Sequence, residues 1–360
     1  MKIGIVGLPN VGKSTLFNAL TKNYGADAQN FPFCTIEPNV GIVNVNDERL
    51  EKIQKAVDGA KIIPASCEFT DIAGIVKGAS EGEGMGNKFL ANIREADAIL
   101  QVVRIFENGD IIHVHGEVNP QNDIEIINAE LIIADIETLT KRIASDAKKA
   151  RSDKDLAEKL KTLEKVLEKL EAGDLASNIE LNEDEQEHLK DSHLLTNKQF
   201  VYACNVSEEM MDSCESELQK LIGVSDNTKV VPICAKLEED MLEMSLQEKT
   251  EFLDDMGLSS TGLDNLIKAS YDALGLQYYF TAGEQEVRAW TVKKGASAPQ
   301  AAGVIHTDFE KGFIKADVVN AVDIIEFSGW SGARDNGKVR LEGKEYIVQD
   351  GDVMLFKFSK

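Results

Sequence analysis

Cysteines, positive charge and long apolar runs are all scarce in this sequence. It contains only five cysteines, an odd number, and no two of them are separated by just two residues. A disulfide framework or a zinc ribbon is therefore not expected, and this usage is typical of a reducing compartment. No run approaches the roughly 18 apolar residues of a membrane span, and the apolar start is too short for a signal peptide. We therefore expect a cytoplasmic protein without a membrane partner.

Acidic residues strongly outnumber basic ones. The 360 residues include 62 Asp and Glu against 39 Lys and Arg, which gives a formal net charge of −23. Such a balance argues against non-specific nucleic-acid binding by the whole surface, and we expect no sequence-specific DNA partner. A local basic patch is still compatible with RNA. The hydrophobic fraction of 43% is enough for packed cores, and the length suggests two or three domains.

Short apolar strands alternate with helical patterns over much of the chain. Strands are predicted at residues 2–6, 40–45, 67–71, 98–103, 200–205 and 229–234. Apolar strands separated by helices predict an α/β domain with a doubly wound, mostly parallel sheet. We assign residues 1–127 and 198–276 to this domain.

A helical segment interrupts the alternation, and we assign it to residues 128–197. Five leucines recur there at spacings of four and three, as in a coiled-coil seam: Leu156, Leu160, Leu163, Leu167 and Leu170. Residues 141–172 hold ten Lys and Arg against seven Asp and Glu, so this insert is locally basic. It is either an ordinary solvated helix pair or an arm that contacts RNA or a ribosome-like partner.

The pattern of polar and apolar residues changes again near residue 277. Short alternating runs at residues 278–281, 286–291, 323–327, 345–347 and 353–358 are separated by glycine-rich turns. This pattern predicts a small α+β domain over residues 277–360.

The stretch from Gly7 to Ser14 fits the P-loop motif GxxxxGK[ST] at every position. It follows a predicted strand and opens a predicted helix, which is the context that the motif requires. Its amides point at the phosphates, Lys13 reaches the β- and γ-phosphates, and the Ser14 hydroxyl holds Mg²⁺. We assign phosphate binding to Asn10, Val11, Gly12, Lys13, Ser14 and Thr15.

Two further motifs complete the pattern of a nucleotide switch. Thr35 lies in a loop about 20 residues after the P-loop, where a switch threonine reaches Mg²⁺ and the γ-phosphate. Asp71 ends a predicted strand and begins the sequence DIAG, so its carboxylate holds a Mg²⁺-bound water and the Gly74 amide meets the γ-phosphate. The predicted metal ligands are therefore Ser14, Thr35 and, through water, Asp71.

The residue after Gly74 is Ile75, where Ras-like GTPases have a glutamine that orients the attacking water. An isoleucine cannot do this, so we expect slow intrinsic hydrolysis or another water-positioning group. His113 is one candidate, and an exposed loop histidine without a role is the alternative. The predicted catalytic set is Lys13, Thr35, Gly74 and His113. Asn10 additionally offers an oxygen to K⁺ beside the phosphates.

The predicted base site departs from that of GTPases. Their NKxD motif reads guanine through its Asp, but here the strand at 200–205 ends in Asn205, Val206, Ser207 and Glu208. The longer Glu208 side chain displaces the carboxylate, so the two-pronged guanine contact is lost, and adenine can donate its N6 amine to Asn205 or to a backbone carbonyl. Ala235 and Lys236 close the site like the SAK loop of GTPases.

These motifs together resemble the YchF/Obg-like ATPase family of the TRAFAC, or translation-factor, class. The resemblance rests on the P-loop, on NFPFCT at 30–35, on the glycine-rich stretch after DIAG, on NVSE at 205–208, and on RAWT at 288–291 and GVIHTDF at 303–309. It implies a P-loop G domain with an inserted coiled coil and a C-terminal TGS domain with a ubiquitin-like β-grasp fold.

The resemblance also implies a function. It points to Mg²⁺-dependent hydrolysis of ATP, sometimes of GTP, in association with the ribosome and the stress response. It places Val206 against the adenine, accepts Ile75 as a hydrophobic substitute for the catalytic glutamine and puts His113 in a flexible loop. A conventional GTPase with relaxed base selectivity and a nucleotide-gated scaffold stay open as alternatives.

Overall fold

The structure, a computed structural model, describes residues 1–25, 39–72, 85–107 and 117–359. They form two compact units. The first consists of the described residues within Met1–Asn23, Thr35–Gly41 and Glu68–Ser270. The second consists of the described residues within Tyr24–Cys34, Ile42–Cys67 and Tyr271–Lys360.

The secondary structure follows a mixed order along the chain. The strands are β1 (Lys2–Val6), β2 (Val40–Val45), β3 (Ile62–Ile63), β4 (Ala65–Asp71), β5 (Ala98–Arg104), β6 (Gln199–Asn205), β7 (Lys229–Ile233), β8 (Leu276–Ala282), β9 (Val287–Lys293), β10 (Phe313–Asn320), β11 (Arg340–Glu342) and β12 (Asp352–Phe358). The α-helices are α1 (Lys13–Tyr24), α2 (Glu48–Val57), α3 (Met85–Glu95), α4 (Pro120–Asp146), α5 (Lys154–Glu171), α6 (Glu183–Lys190), α7 (Glu215–Ile222), α8 (Ala235–Asp240), α9 (Leu246–Asp255), α10 (Gly262–Ala273), α11 (Ala298–Ile305), α12 (Thr307–Lys311), α13 (Ala321–Glu326) and α14 (Trp330–Asp335).

The first sheet has the strand order β2-β4-β1-β5-β6-β7. The pairs β1–β4, β1–β5, β5–β6 and β6–β7 are all parallel, which confirms the predicted parallel α/β sheet. Every residue of the central strand β5 is buried, as expected for a strand with helices over both faces. The carboxyl ends of these strands meet at one edge, where ligands bind in sheets of this kind.

Two long helices, α4 and α5, pack against each other in the region of the predicted coiled coil. Three of the five predicted seam leucines are buried there, namely Leu160, Leu163 and Leu170, whereas Leu156 and Leu167 are only partly buried and Val166 joins the core instead. The sequence therefore identified the buried stripe at three of its five predicted positions. Helix α4 runs unbroken across residue 128. The predicted division into 1–127 with 198–276, 128–197 and 277–360 stays a prediction.

A buried carboxylate fixes α4 to the turn that leads back to the sheet. Asp135 is 1% exposed and accepts hydrogen bonds from the backbone amides of Leu195 and Thr196, both at 2.8 Å, and from the Thr196 hydroxyl at 2.7 Å. Burial raises the pKa of Asp135, against the lowering effect of these hydrogen bonds. Three donors on one carboxylate are what a buried acid requires.

The second unit contains a sheet with the order β11-β10-β12-β8-β9-β3. β8 and β9 form an antiparallel pair, β12 runs parallel to β8, and β10 runs antiparallel to β12. Helix α11 supplies three buried alanines to the core of this unit, which also contains Tyr279 and Phe313. The predicted α+β character of the C-terminal region is confirmed.

Two strand predictions in this region were wrong. Residues 323–327 fall in and just after α13, because the Asn320 side chain caps the amide of Val322 and starts a helix whose Ile324 is buried. Residues 345–347 make only one isolated bridge, between Ile347 and Ser297. β10 was not predicted, because its polar and apolar residues do not alternate cleanly. Among the described residues, no helix combines the length and apolarity that crossing a membrane would need.

Candidate nucleotide site

The P-loop connects β1 to α1 at the carboxyl edge of the first sheet. Two of its residues have left-handed backbone conformations, Asn10 with φ 63° and Gly12 with φ 97°. A Cβ added at Gly12 would lie 2.3 Å from Nδ2 of Asn205. The position therefore needs glycine both for its backbone conformation and for the close approach of a neighbouring side chain.

Lys13 and Asp71 form an ion pair at the predicted phosphate end of the site. Their side chains are only 11% and 17% exposed, and Asp71 sits at the end of β4 while Lys13 opens α1. Ser14 is exposed on the first turn of α1. The structure thus brings together the predicted phosphate lysine and the predicted metal-site carboxylate, which lie 58 positions apart in the sequence.

The Asn205 side chain joins the P-loop to the turn that follows β7. Its Nδ2 donates to the carbonyl of Val11 at 2.9 Å, and its Oδ1 accepts from the amide of Ala235 at 3.1 Å. The residue is 5% exposed, so these hydrogen bonds are shielded from water. Both ends of the amide group are therefore engaged within the protein, and Asn205 acts first as a brace between two walls of the site.

A cavity of about 560 Å³ opens beside this brace. Its lining comprises Asn10, Gly12, Thr15, Phe106, Glu107, Asn205, Val206, Ser207, Glu208, Glu209, Cys234, Ala235, Lys236 and Glu239. The size suits a purine base with its sugar, since small-molecule sites span roughly 300–1,000 Å³. Asn10, Gly12 and Thr15 of the predicted phosphate residues thus line the same cavity as the predicted base residues.

Sequence reasoning missed the aromatic wall of this cavity. Phe106 lies two residues after β5, and its ring is covered by the Arg104 guanidinium, whose carbon is 4.5 Å from the ring centre. The Arg104 Nε also donates to the Phe106 carbonyl at 3.1 Å, and Arg104 is 1% exposed. A signal was available, because Phe106 follows an apolar strand at the same sheet edge as the other motifs.

The residues 205–208, which we call the base turn, lie in different environments. Val206 is 1% exposed and packs in the apolar core beneath the cavity, while its amide donates to the Ile233 carbonyl at 2.9 Å. Glu208 is exposed, and one of its oxygens lies 3.9 Å from the Lys236 Nζ. At the position where GTPases have a lysine whose stem packs over the base, this chain has a buried valine. Four predicted residues, Thr35, Gly74, Ile75 and His113, lie outside the described residues.

A buried acid anchors helix α8, which lines the cavity. Glu238 is 1% exposed, and its Oε1 accepts from the amide of Leu263 at 3.2 Å at the start of α10. Its other oxygen has no hydrogen-bond partner. Burial raises the pKa of Glu238 to about 7; the Leu263 and Gly262 amides lower it, Asp264 raises it and Lys249 lowers it.

Replacing Glu238 should change how stability depends on pH. Between the ordinary value of 4.5 and about 7, the folded protein keeps a proton that the unfolded chain has lost, so wild-type stability falls as pH rises through this window. Glu238→Gln does not titrate. From pH 4.5 to 7, we expect the unfolding free energy of Glu238→Gln to rise relative to that of the wild type by up to about 3 kcal/mol. Urea denaturation measures this difference. The exposed neighbour variant Glu239→Gln is the control, and a pH-independent difference for Glu238→Gln would refute the assignment.

Comparison with known proteins finds similarity along the whole chain. The family model YchF-GTPase_C, described as a protein of unknown function, matches residues 276–359, and a model described as 50S ribosome-binding GTPase matches residues 2–143. The chain is 54% identical over 361 residues to the ribosome-binding ATPase YchF of Bacillus subtilis, covering 99% of this chain and 98% of that protein. It is 51% identical over 360 residues to the protein of that name from Escherichia coli O157:H7, covering 99% of each.

The fold comparison agrees over the same length. A solved structure of the YchF GTPase of Schizosaccharomyces pombe superposes with a TM-score of 0.86 at 38% identity. The match covers 99% of this chain and 97% of that one. The similarity therefore extends through both units and is not confined to the P-loop region.

Proposed function

The chain belongs to the YchF family, and from that premise we propose that it binds and hydrolyses ATP in preference to GTP, as a switch that acts on the ribosome. One observation carries the proposal: a P-loop is braced by Asn205 against a base turn that lacks the guanine-reading lysine and aspartate. The relatives named above are called ribosome-binding ATPases, which agrees with both parts.

At the phosphate end, Lys13 is the group that binds the triphosphate. An incoming phosphate competes with Asp71 for the Lys13 ammonium, so binding exchanges one ion pair for another. The donor chemistry fits Mg²⁺, because the Ser14 hydroxyl and the Asp71 carboxylate are hard oxygen ligands beside Lys13. We propose Ser14, Thr35 and, through water, Asp71 as its ligands. When bound, Mg²⁺ would neutralise charge on the phosphates.

At the base end, the environment disfavours guanine. Val206 cannot reach over the base as a lysine stem does, because its side chain is buried in the core. Asn205 already uses both ends of its amide. We therefore propose that a backbone carbonyl of the base turn accepts from the adenine N6 amine, with Phe106 as the aromatic wall and Ala235 and Lys236 closing the site.

Hydrolysis without a catalytic glutamine is part of the proposal. Ile75 cannot position water, so we propose slow intrinsic turnover with Lys13, Thr35 and Gly74 acting on the γ-phosphate and His113 as the candidate water-positioning group. K⁺ beside the phosphates, coordinated by Asn10, belongs to the same proposal.

The remaining domains supply the partner surfaces. The strand order of the second sheet, in which the last strand lies parallel beside the first strand of a hairpin, supports a β-grasp TGS domain over residues 277–360. The helical pair α4–α5 and this domain are the proposed contacts with ribosomal RNA and protein. A cytoplasmic location follows from such a partner.

Nucleotide binding to the purified, nucleotide-free protein tests base selectivity. We expect calorimetry with Mg²⁺ to show ATP and ADP binding at least tenfold more tightly than GTP and GDP, about 1.4 kcal/mol. Glu208→Asp should reduce this difference in affinity, because the shorter side chain moves its carboxylate toward the position from which the Asp of NKxD reads guanine. Glu209→Asp makes the same chemical change at the neighbouring exposed residue and is the control.

The nucleotide-binding result also distinguishes the proposed ATPase from a conventional GTPase and from a nucleotide-gated scaffold. Equal or guanine-favoured binding by the wild type would return the protein to the conventional GTPases and leave the phosphate site standing. Selective ATP binding without turnover at ribosomes would instead favour a nucleotide-gated scaffold.

A further inference from the structure

The second sheet has a face that its own helices do not fully cover. Its inner face holds Ala316 and Val318 of β10 against α11, and these residues pair with Phe356 and Met354 of β12. Since side chains alternate along a strand, the residues between them point to the opposite, outer face. At one end of that face, Val319 and Val353 are fully buried, where α13 packs on β10 and β12.

Beyond that end, the outer face exposes two leucines in one row. Asp317 of β10 pairs with Leu341 of β11 on one side and with Leu355 of β12 on the other. Directly paired residues in antiparallel strands share a face. Leu341 is 60% exposed and Leu355 is 43% exposed, so the two apolar side chains flank a single carboxylate on the outer face.

Cations surround this row. In the next row, Lys315 and Lys357 face each other across the paired strands, an arrangement of like charges that costs stability. The Lys357 Nζ lies 3.4 Å from an Asp317 oxygen, and an Arg334 guanidinium nitrogen from α14 lies 3.6 Å from the same oxygen. Two cations thus share one carboxylate, and a third, Lys315, lies in the next row, in a chain whose net charge is −23. Exposed apolar side chains rimmed by charged groups are typical of an interaction surface.

We propose that this outer patch, formed by Lys315, Arg334, Leu341, Leu355 and Lys357, docks an acidic protein segment that carries apolar side chains. The inference rests on the proposed ribosome binding and names a ribosomal protein surface as the partner. The positive patch complements an acidic segment, and the leucines supply the apolar contact that phosphate binding would not use. The described patch has no aromatic side chain on which an RNA base could stack. A protein segment is therefore favoured over RNA.

The test uses the full chain with ATP and purified ribosomes, with binding measured by sedimentation. The double variant Leu341→Ser/Leu355→Ser should bind at least tenfold more weakly than the wild type, with an unchanged thermal midpoint because both positions are exposed. Val304→Ser is the matched control: Val304 is 44% exposed but lies on α11, which covers the inner face. It should bind as the wild type does.

A charge reversal tests the same patch independently of the leucine variant. Lys315→Glu should weaken ribosome binding several-fold and reduce its dependence on salt, because it removes a favourable electrostatic contact. Lys293→Glu makes the same change at the exposed end of β9 and should leave binding unchanged. Protein-free ribosomal RNA serves as the second probe, and the leucine variant should bind it as the wild type does.

The outcomes separate this inference from the proposed function. If the wild type sediments with ribosomes and the leucine variant does so equally, the inference is overturned and ribosome binding stands. If the leucine variant loses the same affinity for protein-free RNA, the patch is an RNA surface and the inference is wrong. If the wild type does not bind ribosomes, the inference and the ribosome-binding part of the proposed function fail together.

Discussion

Gly12→Ala should weaken ATP binding at least 100-fold, about 2.7 kcal/mol. The new Cβ would lie 2.3 Å from the Asn205 Nδ2, at a backbone φ of 97° that L-residues rarely adopt. Either the P-loop shifts or the Asn205 brace breaks, and both changes misplace the amides that we propose cradle the phosphates. Calorimetry with ATP and Mg²⁺ measures the loss directly.

The chain offers a control for the backbone strain alone. Gly173 has nearly the same φ, 94°, but an added Cβ there would meet nothing within 4 Å. Gly173→Ala should cost a similar amount of strain energy, about 1 kcal/mol, and should bind ATP normally. If Gly12→Ala also bound ATP normally, the close packing of the P-loop against Asn205 would have no role in the site.

Asn205→Ala should lower the unfolding free energy by about 2–5 kcal/mol and abolish measurable nucleotide binding. The substitution leaves the Val11 carbonyl and the Ala235 amide buried without partners, at about 1–3 kcal/mol for each group. Without the brace, the P-loop and the turn after β7 are no longer held together. Urea denaturation measures the first effect and calorimetry the second.

Gln219 provides the matched control for this loss. It is a 4% exposed amide whose Nε2 donates to the carbonyls of Asp226 and Thr228 at 3.0 and 2.8 Å. Gln219→Ala likewise removes two hydrogen bonds of a buried side-chain amide, to partly buried carbonyls away from the cavity, so it should lower the unfolding free energy and still bind nucleotide. Nucleotide binding that survived in Asn205→Ala would contradict the brace.

The sequence predicted the elements of the site better than their connections. The P-loop, Asp71 and the base turn were located because each motif follows an apolar strand, and the ends of parallel strands converge at one edge. The Asn205 brace was not predicted, because a side-chain amide that bonds two segments 194 and 30 positions away leaves no local pattern. Phe106 was missed for a related reason, since its role depends on the buried Arg104 beneath its ring.

The errors in the C-terminal unit have a local cause. The isoleucines and phenylalanine of residues 323–327 fit a strand by residue type, yet they place Ile324 on the buried side of a short helix once Asn320 supplies a cap. In β10, the irregular pairing between Phe313 and Lys315 breaks the period of two that identifies a strand. Short elements are decided by caps and irregularities that a periodicity argument does not register.

The membership of α2 in the second unit has a consequence for biosynthesis. Leu50 and Ile53 of α2 are buried, and Ile62 of β3 pairs with Val287 of β9, so the partners of this early segment are made roughly 200 residues later. At about 5–20 residues per second, the ribosome takes roughly 10 to 40 s to supply them. During that interval the segment's apolar side chains have no native partners, which makes the emerging chain a substrate for chaperones well before its C-terminus is released.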